Sequence, residues 1–527
     1  MPSARLLERL KAYQSLTADQ QTVMKLLALY YSYSSLTNLA KCLANVDIKE
    51  GGKALKSEAV KTRLKPLLKL GLVEENAKSG GSRCCRTLVE VIARQMVDTG
   101  ELSRYAAAVL AANPPSIGYY RYSSVDDCIR EARLQFYRGD YGKVDECLEG
   151  GARYLGKLPA ANELYLSWFL NPLDSVWFSK NHPQLLVGLA GFAGLHQLLY
   201  LYADPKLEEL LASLMFADNG EGLDFLNRVG LELQLLRGEW EAVEVRTRGT
   251  VDPELQALAA ALAFLRGDHA EAVKLYEAAL VAQRKLAGQR NAYFYGLAGV
   301  FYPLAILKHN DAKQRAKLGT LLNQAIKGDG YWIGVYHDLA LFNRFLQGEL
   351  QLRSQLLAAD PPYKIGDGYR DSGLPETLHT LPLLLHVLSL LIKFWVKADH
   401  FQRVEPLTQK LYRHLSDNGY RWPAAELANV FKALEPPRAQ QWDCGFLQGR
   451  PALSDLFASR ADWELALDAL TNLPLADKKI AAAPAIDKPT RLSGCWLTTR
   501  TAIGCGSSRA SKNCKPRAVG ARGGPWH

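Results

Sequence analysis

Acidic residues are missing from the end of this sequence. After Asp487 there is no Asp or Glu, while Lys488, Arg491, Arg500, Arg509, Lys512, Lys515, Arg517 and Arg522 are all basic. These eight charges account for all but two of the formal net +10 of the 527-residue chain. The body is therefore close to neutral, and overall charge is no argument for an anionic partner. Cysteine is sparse and uneven: Cys42, Cys84, Cys85, Cys128, Cys147 and Cys444 are scattered, whereas Cys495, Cys505 and Cys514 crowd into the tail. Scattered cysteines behind a charged, helical start, with no apolar signal segment, fit a reducing cytoplasm. Uninterrupted apolar runs are lacking too. Gln184–Tyr202 contains His196, Gln197 and three glycines, and Leu381–Val396 carries Pro382, His386 and Lys393. Both read as buried helices, and no membrane partner is expected.

The motifs of common catalytic sites are also absent. "GGKALKS" (Gly51–Ser57) has the glycines and lysines of a phosphate-binding loop in the wrong order, with no strand before it. No H-E-x-x-H, G-x-S-x-G, G-x-G-x-x-G or C-x-x-C occurs. Cys84 and Cys85 are adjacent, which suits neither metal chelation nor an ordinary disulfide, so two half-buried thiols are expected. Cys495, Cys505, Cys514 and His527 have gaps that match no common zinc site. The reading is of a non-enzyme, without metal or cofactor.

What is present is helical periodicity. "LTADQQTVMKLLALYY" (Leu16–Tyr31) opens with Thr17 at an N-cap position and Gln20 three residues on, followed by Val23, Leu26, Leu27 and Tyr30 at helical spacing. A second helix carries Leu36, Leu39, Ala40 and Leu43. A third carries Val60, Leu64, Leu67, Leu68 and Leu70, is interrupted by Pro66, and ends at Gly71. An extended Leu72-Val73, the turn "KSGGSR" and a further apolar helix complete the outline of a winged helix over residues 10–100. Lys53, Lys56, Lys61, Arg63, Lys65 and Lys69 decorate its third helix and approach, and Lys78, Arg83 and Arg86 surround the glycine-rich turn. Those nine residues are the candidate nucleic-acid-binding set, with double-stranded DNA as the expected partner, because such a helix and wing meet phosphates. Protein docking and a merely solvated lysine face are the alternatives.

After a linker at 101–122, residues 123–475 read as helices almost throughout. One pattern recurs: Arg or Gln, then Gly, then an acid, leading into a new helix. It appears at Tyr137–Leu148, Leu236–Val245, Leu265–Leu280 and, more weakly, Leu346–Leu357. Glycine permits the corner between antiparallel helices and the acid caps the second. The copies are unevenly spaced, so the expectation is a degenerate tetratricopeptide-like array that binds protein partners. A linker follows at 476–490 and a disordered tail at 491–527.

Four stretches, "YQSLTADQQTVMKLLALYY", "LKPLLKLGLVE", "RCCRTLVEVIARQ" and "SSVDDCIREARLQFYRGDYGKVDECLE", resemble the N-terminal, non-ATPase region of bacterial Snf-type ATP-dependent DNA translocases of the DEAD/DEAH-box helicase superfamily. "SRADWELALDALTNL" is similar to the helix ahead of that family's motor linker. The resemblance spans most of residues 10–475. It implies that the motor's ATP-binding lysine, acidic pair and arginine finger correspond to no residue here. It also implies a frameshift between about Asp487 and Ala502, since Ala502–His527 can be written with synonymous codons whose adjacent frame encodes the family's next segment. Three functions follow as expectations: an accessory region of a helicase, a free-standing transcriptional regulator with a helical sensor, or a scaffold.

Overall fold

The computed structural model describes residues 4–328, apart from 78–79, 115–121, 123, 156–157, 160, 217–221, 289–291, 295 and 310, together with 336, 339–340, 343, 409–434 and 442–453. The chain is mainly helical. The expected linker at 476–490, the tail at 491–527, the corner at Leu346–Leu357, the run Leu381–Val396 and Lys78 lie outside the described residues.

Helix α2 (Ala18–Tyr30) is the centre of the front unit. Thr17 and Gln20 form the expected capping box, each side chain accepting from the other's backbone N–H. Val23, Met24, Leu26, Leu27, Leu29 and Tyr30 are all buried, so α2 is surrounded. It packs against α3 (Leu36–Asn45), α5 (Arg86–Asp98) and α6 (Leu102–Ala112), and α1 (Ala4–Gln14) lies across α5. Between α3 and α4 (Ser57–Lys69) stands a hairpin of β1 (Lys49–Glu50) and β2 (Lys53–Ala54). Gly51 and Gly52 make its two-residue turn, with φ of 56° and 76°, the left-handed pair that matches strand twist.

Helix α4 buries Val60, Leu64 and Leu67, as its spacing requires. Pro66 does not break it, because the missing N–H falls on an exposed turn. Leu70, expected on the apolar face, is instead 48% exposed. The helix stops at Lys69, Gly71 reverses the chain at φ 65°, and Leu72 takes the inward place. Strand β3 (Val73–Glu75) then pairs antiparallel with β4 (Ser82–Cys84), Val73 opposite Cys84 and Glu75 opposite Ser82. Ser34, between α2 and α3, exchanges two 2.9 Å backbone hydrogen bonds with Ser82 and so ties the helices to this sheet. Cys84 and Cys85, expected half-buried, are both buried, since the turn from β4 into α5 lies under the core.

The segment expected as a linker at 101–122 begins with α6. Its Leu102, Tyr105, Ala106, Ala108 and Val109 are buried against α2 and α3, small side chains that let the helices approach closely. The front unit therefore extends to Ala112, beyond the boundary expected at residue 100.

Further helices follow: α7 (Val125–Tyr137), α8 (Tyr141–Leu155), α9 (Ala161–Leu170), α10 (Ser175–Asn181), α11 (Pro183–Tyr200), α12 (Pro205–Leu214), α13 (Leu223–Arg237), α14 (Trp240–Thr247), α15 (Pro253–Leu265), α16 (His269–Ala287), α17 (Gly296–His309), α18 (Ala312–Gly328) and α19 (Arg421–Leu434), with α7 packed on α8, α11 on α13 and α15 on α16. Gly139, Gly238 and Gly267 make the corners at φ of 75°, 78° and 88°. Asp140 and Asp268 cap the helices after them by accepting from Lys143 and Glu271, whereas Glu239 makes no such bond. No described helix is long and apolar enough to cross a membrane.

Two contacts lock this layer to the front unit. Arg133 of α7, fully buried, donates to Glu90 and to the carbonyls of Ala28 and Val89, and Tyr137 donates to the same Glu90. Arg94 of α5 donates to the carbonyls of Trp168 and Pro172 at 2.7 and 2.6 Å. At the far end, residues 442–453 cross two corners: Phe446 lies on Gly238 and Pro451 on Gly267. Arg450 stacks over both Phe446 and Trp240, 4.3 and 5.0 Å from the ring centres.

Candidate nucleic-acid interface

The apolar stripe of α4 faces inward, so its other residues must face water. Lys61, Lys65 and Lys69, four residues apart, form a row along the exposed side. The rise of 1.5 Å per residue places successive members about 6 Å apart along the axis. Lys56, at the N-cap position, and Lys53, in β2, continue the exposed cations beyond the start of the helix. Among the described residues none of these five lysines is paired with a carboxylate. Glu50 and Glu58 are exposed on the same surface, so the patch is predominantly, not purely, cationic.

The other expected contributors are placed differently. Arg63 is half-buried, with Nη1 donating to the Ala59 carbonyl at 3.2 Å. Arg83 is held back on the sheet: Nε and Nη2 both donate to Glu74, at 2.9 and 2.7 Å, and the guanidinium stacks 4.4 Å over Tyr33. Its charge is largely offset there. Arg86 is exposed in the first turn of α5. The structure thus leaves Lys53, Lys56, Lys61, Lys65 and Lys69 exposed on α4 and its approach and takes Arg63 and Arg83 partly out of use.

The β1–β2 hairpin was not foreseen. Its sequence signal is a Gly-Gly pair between short stretches, which the comparison of "GGKALKS" with a phosphate loop passes over. Lys49, the remaining hairpin cation, is exposed and 3.3 Å from Asp47. Ile48 and Leu55 pack on the core and fix the hairpin at the N-terminal end of α4.

Elsewhere, a cavity of about 810 Å³ opens between α1, α5, α10 and α12, with Leu7, Val176 and Trp177 on its walls. Arg94 lines it, with Nη1 and Nη2 donating to backbone carbonyls. No group of three His, Cys, Asp or Glu side chains that could hold a metal occurs among the described residues. Comparison of the chain with family models, with curated proteins and with solved structures gives no match.

Proposed function

We propose that this chain is a docking unit: a winged-helix module that engages duplex DNA through α4, followed by a tetratricopeptide-like array for protein partners. It would act in the cytoplasm as an accessory, non-catalytic region of a Snf-type translocase. The observation that carries the reading is the row of unpaired lysines on the exposed side of α4. The order helix, bridge, helix, helix, strand, turn, strand supports it, because a winged helix calls for that succession, with the bridge at Ser34 and the pair β3–β4 as its sheet elements. The hairpin between α3 and α4 departs from the usual short turn. For the array, the supporting feature is the left-handed glycine corner between packed consecutive helices, at α7–α8, α13–α14 and α15–α16.

The test is anisotropy of a labelled 20-base-pair duplex titrated with the full chain between 50 and 200 mM salt. Each phosphate contact contributes about −0.9 to the slope of log affinity against log salt. Lys61→Gln/Lys65→Gln/Lys69→Gln is expected to make that slope shallower by about 3. Because the basic tail is common to both proteins, the difference reports α4 alone. An unchanged slope removes the DNA reading and leaves a protein scaffold; strong preference for one duplex sequence favours a regulator.

A further inference from the structure

We infer that the β1–β2 hairpin is a second wing, which meets the backbone of B-form DNA beside the N-terminal end of α4. The inference rests on the docking of α4 proposed above and goes beyond it in assigning the hairpin and the form of the duplex. Helix α4 has 13 residues and spans about 20 Å. The β1–β2 hairpin sits at its N-terminal end and β3–β4 at its C-terminal end. The major groove of B-DNA is about 12 Å wide, so a helix lying in it places both ends near the bordering backbones.

The distribution of charge favours that posture. An end-on recognition helix needs its cations in the first turn, but here Lys53, Lys56, Lys61, Lys65 and Lys69 run the full length of α4 and continue into the hairpin. The hairpin is shaped for close approach. Residues Lys49 to Ala54 are all exposed, and around the positions where Gly51 and Gly52 would carry a Cβ nothing lies within 4 Å. Its base is anchored, with Leu55 only 4% exposed, so the tip is held out rather than free. A-form RNA has a deep, narrow major groove that would exclude α4, and a single strand offers no second backbone for the hairpin to meet.

The full chain is titrated onto a labelled 20-base-pair DNA duplex, the same single strand and an RNA duplex of equal length. Wild type is expected to favour the DNA duplex at least about ten-fold over both. Lys49→Gln/Lys53→Gln is expected to lose most of that preference. Its salt slope on duplex DNA should be shallower by about 2, while affinity for the single strand changes less than about two-fold. Both positions are exposed, and an unaltered circular dichroism melt checks that the variant is folded. If the hairpin variant matches wild type on duplex DNA while the triple α4 variant loses binding, the second wing is refuted and the docking reading stands. If the triple α4 variant is also without effect, both fall.

Discussion

Gly238 is constrained twice over. Its φ of 78° is one that other residues rarely adopt, and a Cβ there would lie 2.4 Å from the Phe446 ring. Gly238→Ala is expected to lower stability by about 2–4 kcal/mol in urea denaturation, through backbone strain and overpacking together. Phe446→Ala in the same chain should recover the overpacking part and leave the strain, which a double-mutant cycle separates. His182 supplies a pH-dependent counterpart. It is buried in an aromatic cluster, stacked on Phe136, and its imidazole is pushed down to about 4, first by desolvation and then by nearby Arg94. The unfolded chain therefore binds the extra proton, and stability due to this group is lost as pH falls from about 6.5 toward 4. Stability measured across that window should fall less steeply for His182→Phe, by at most about 1.4 kcal/mol per pH unit.

Among elements, α4 carries an evident cost. Pro66 removes one backbone hydrogen bond from an otherwise continuous helix and touches the core little. Pro66→Ala is expected to raise stability by about 1–3 kcal/mol, read as a shift of the urea midpoint at constant slope. Elements of this kind were legible wherever one local rule dominated. The capping box at Thr17, the left-handed stop at Gly71 and the corners at Gly139, Gly238 and Gly267 depend on neighbours in sequence, and spacing alone located them. Where tertiary contacts decided the outcome, sequence was silent or misleading. Helix α6 runs into the Pro-rich stretch "AANPPSIGYYRYSS" and falls inside the expected linker, yet its small side chains are what pack it onto α2 and α3. Leu70 fitted the apolar stripe and was displaced by a chain reversal one residue later. Of the basic site, positions on α4 followed from helical spacing. The retreat of Arg83 onto Glu74 and Tyr33 did not, because those partners come from a neighbouring strand and a distant loop.

For the molecule as a whole, the buried Arg133–Glu90 pair argues against a hinge between front unit and array. Both members are buried, and the guanidinium also satisfies carbonyls on two front-unit helices. Removing one partner of such a pair costs about 3–5 kcal/mol, since the other is left charged without compensation. Arg133→Ala is therefore expected to split the unfolding of the two parts. Amide hydrogen exchange in α2 and α5 should rise out of step with that in α13 to α16, whereas in the wild type the two rise together.

The crossing of two corners by residues 442–453 also sets an order of events during synthesis. The corner at Gly238 leaves the ribosome about two hundred residues before Phe446 exists to cover it. At 5–20 residues per second, that surface waits on the order of 10–40 s without its own side of the packing, with Trp240 beneath it. During that interval the nascent array presents an aromatic surface that the finished protein hides, and a chaperone has its best opportunity to hold it there.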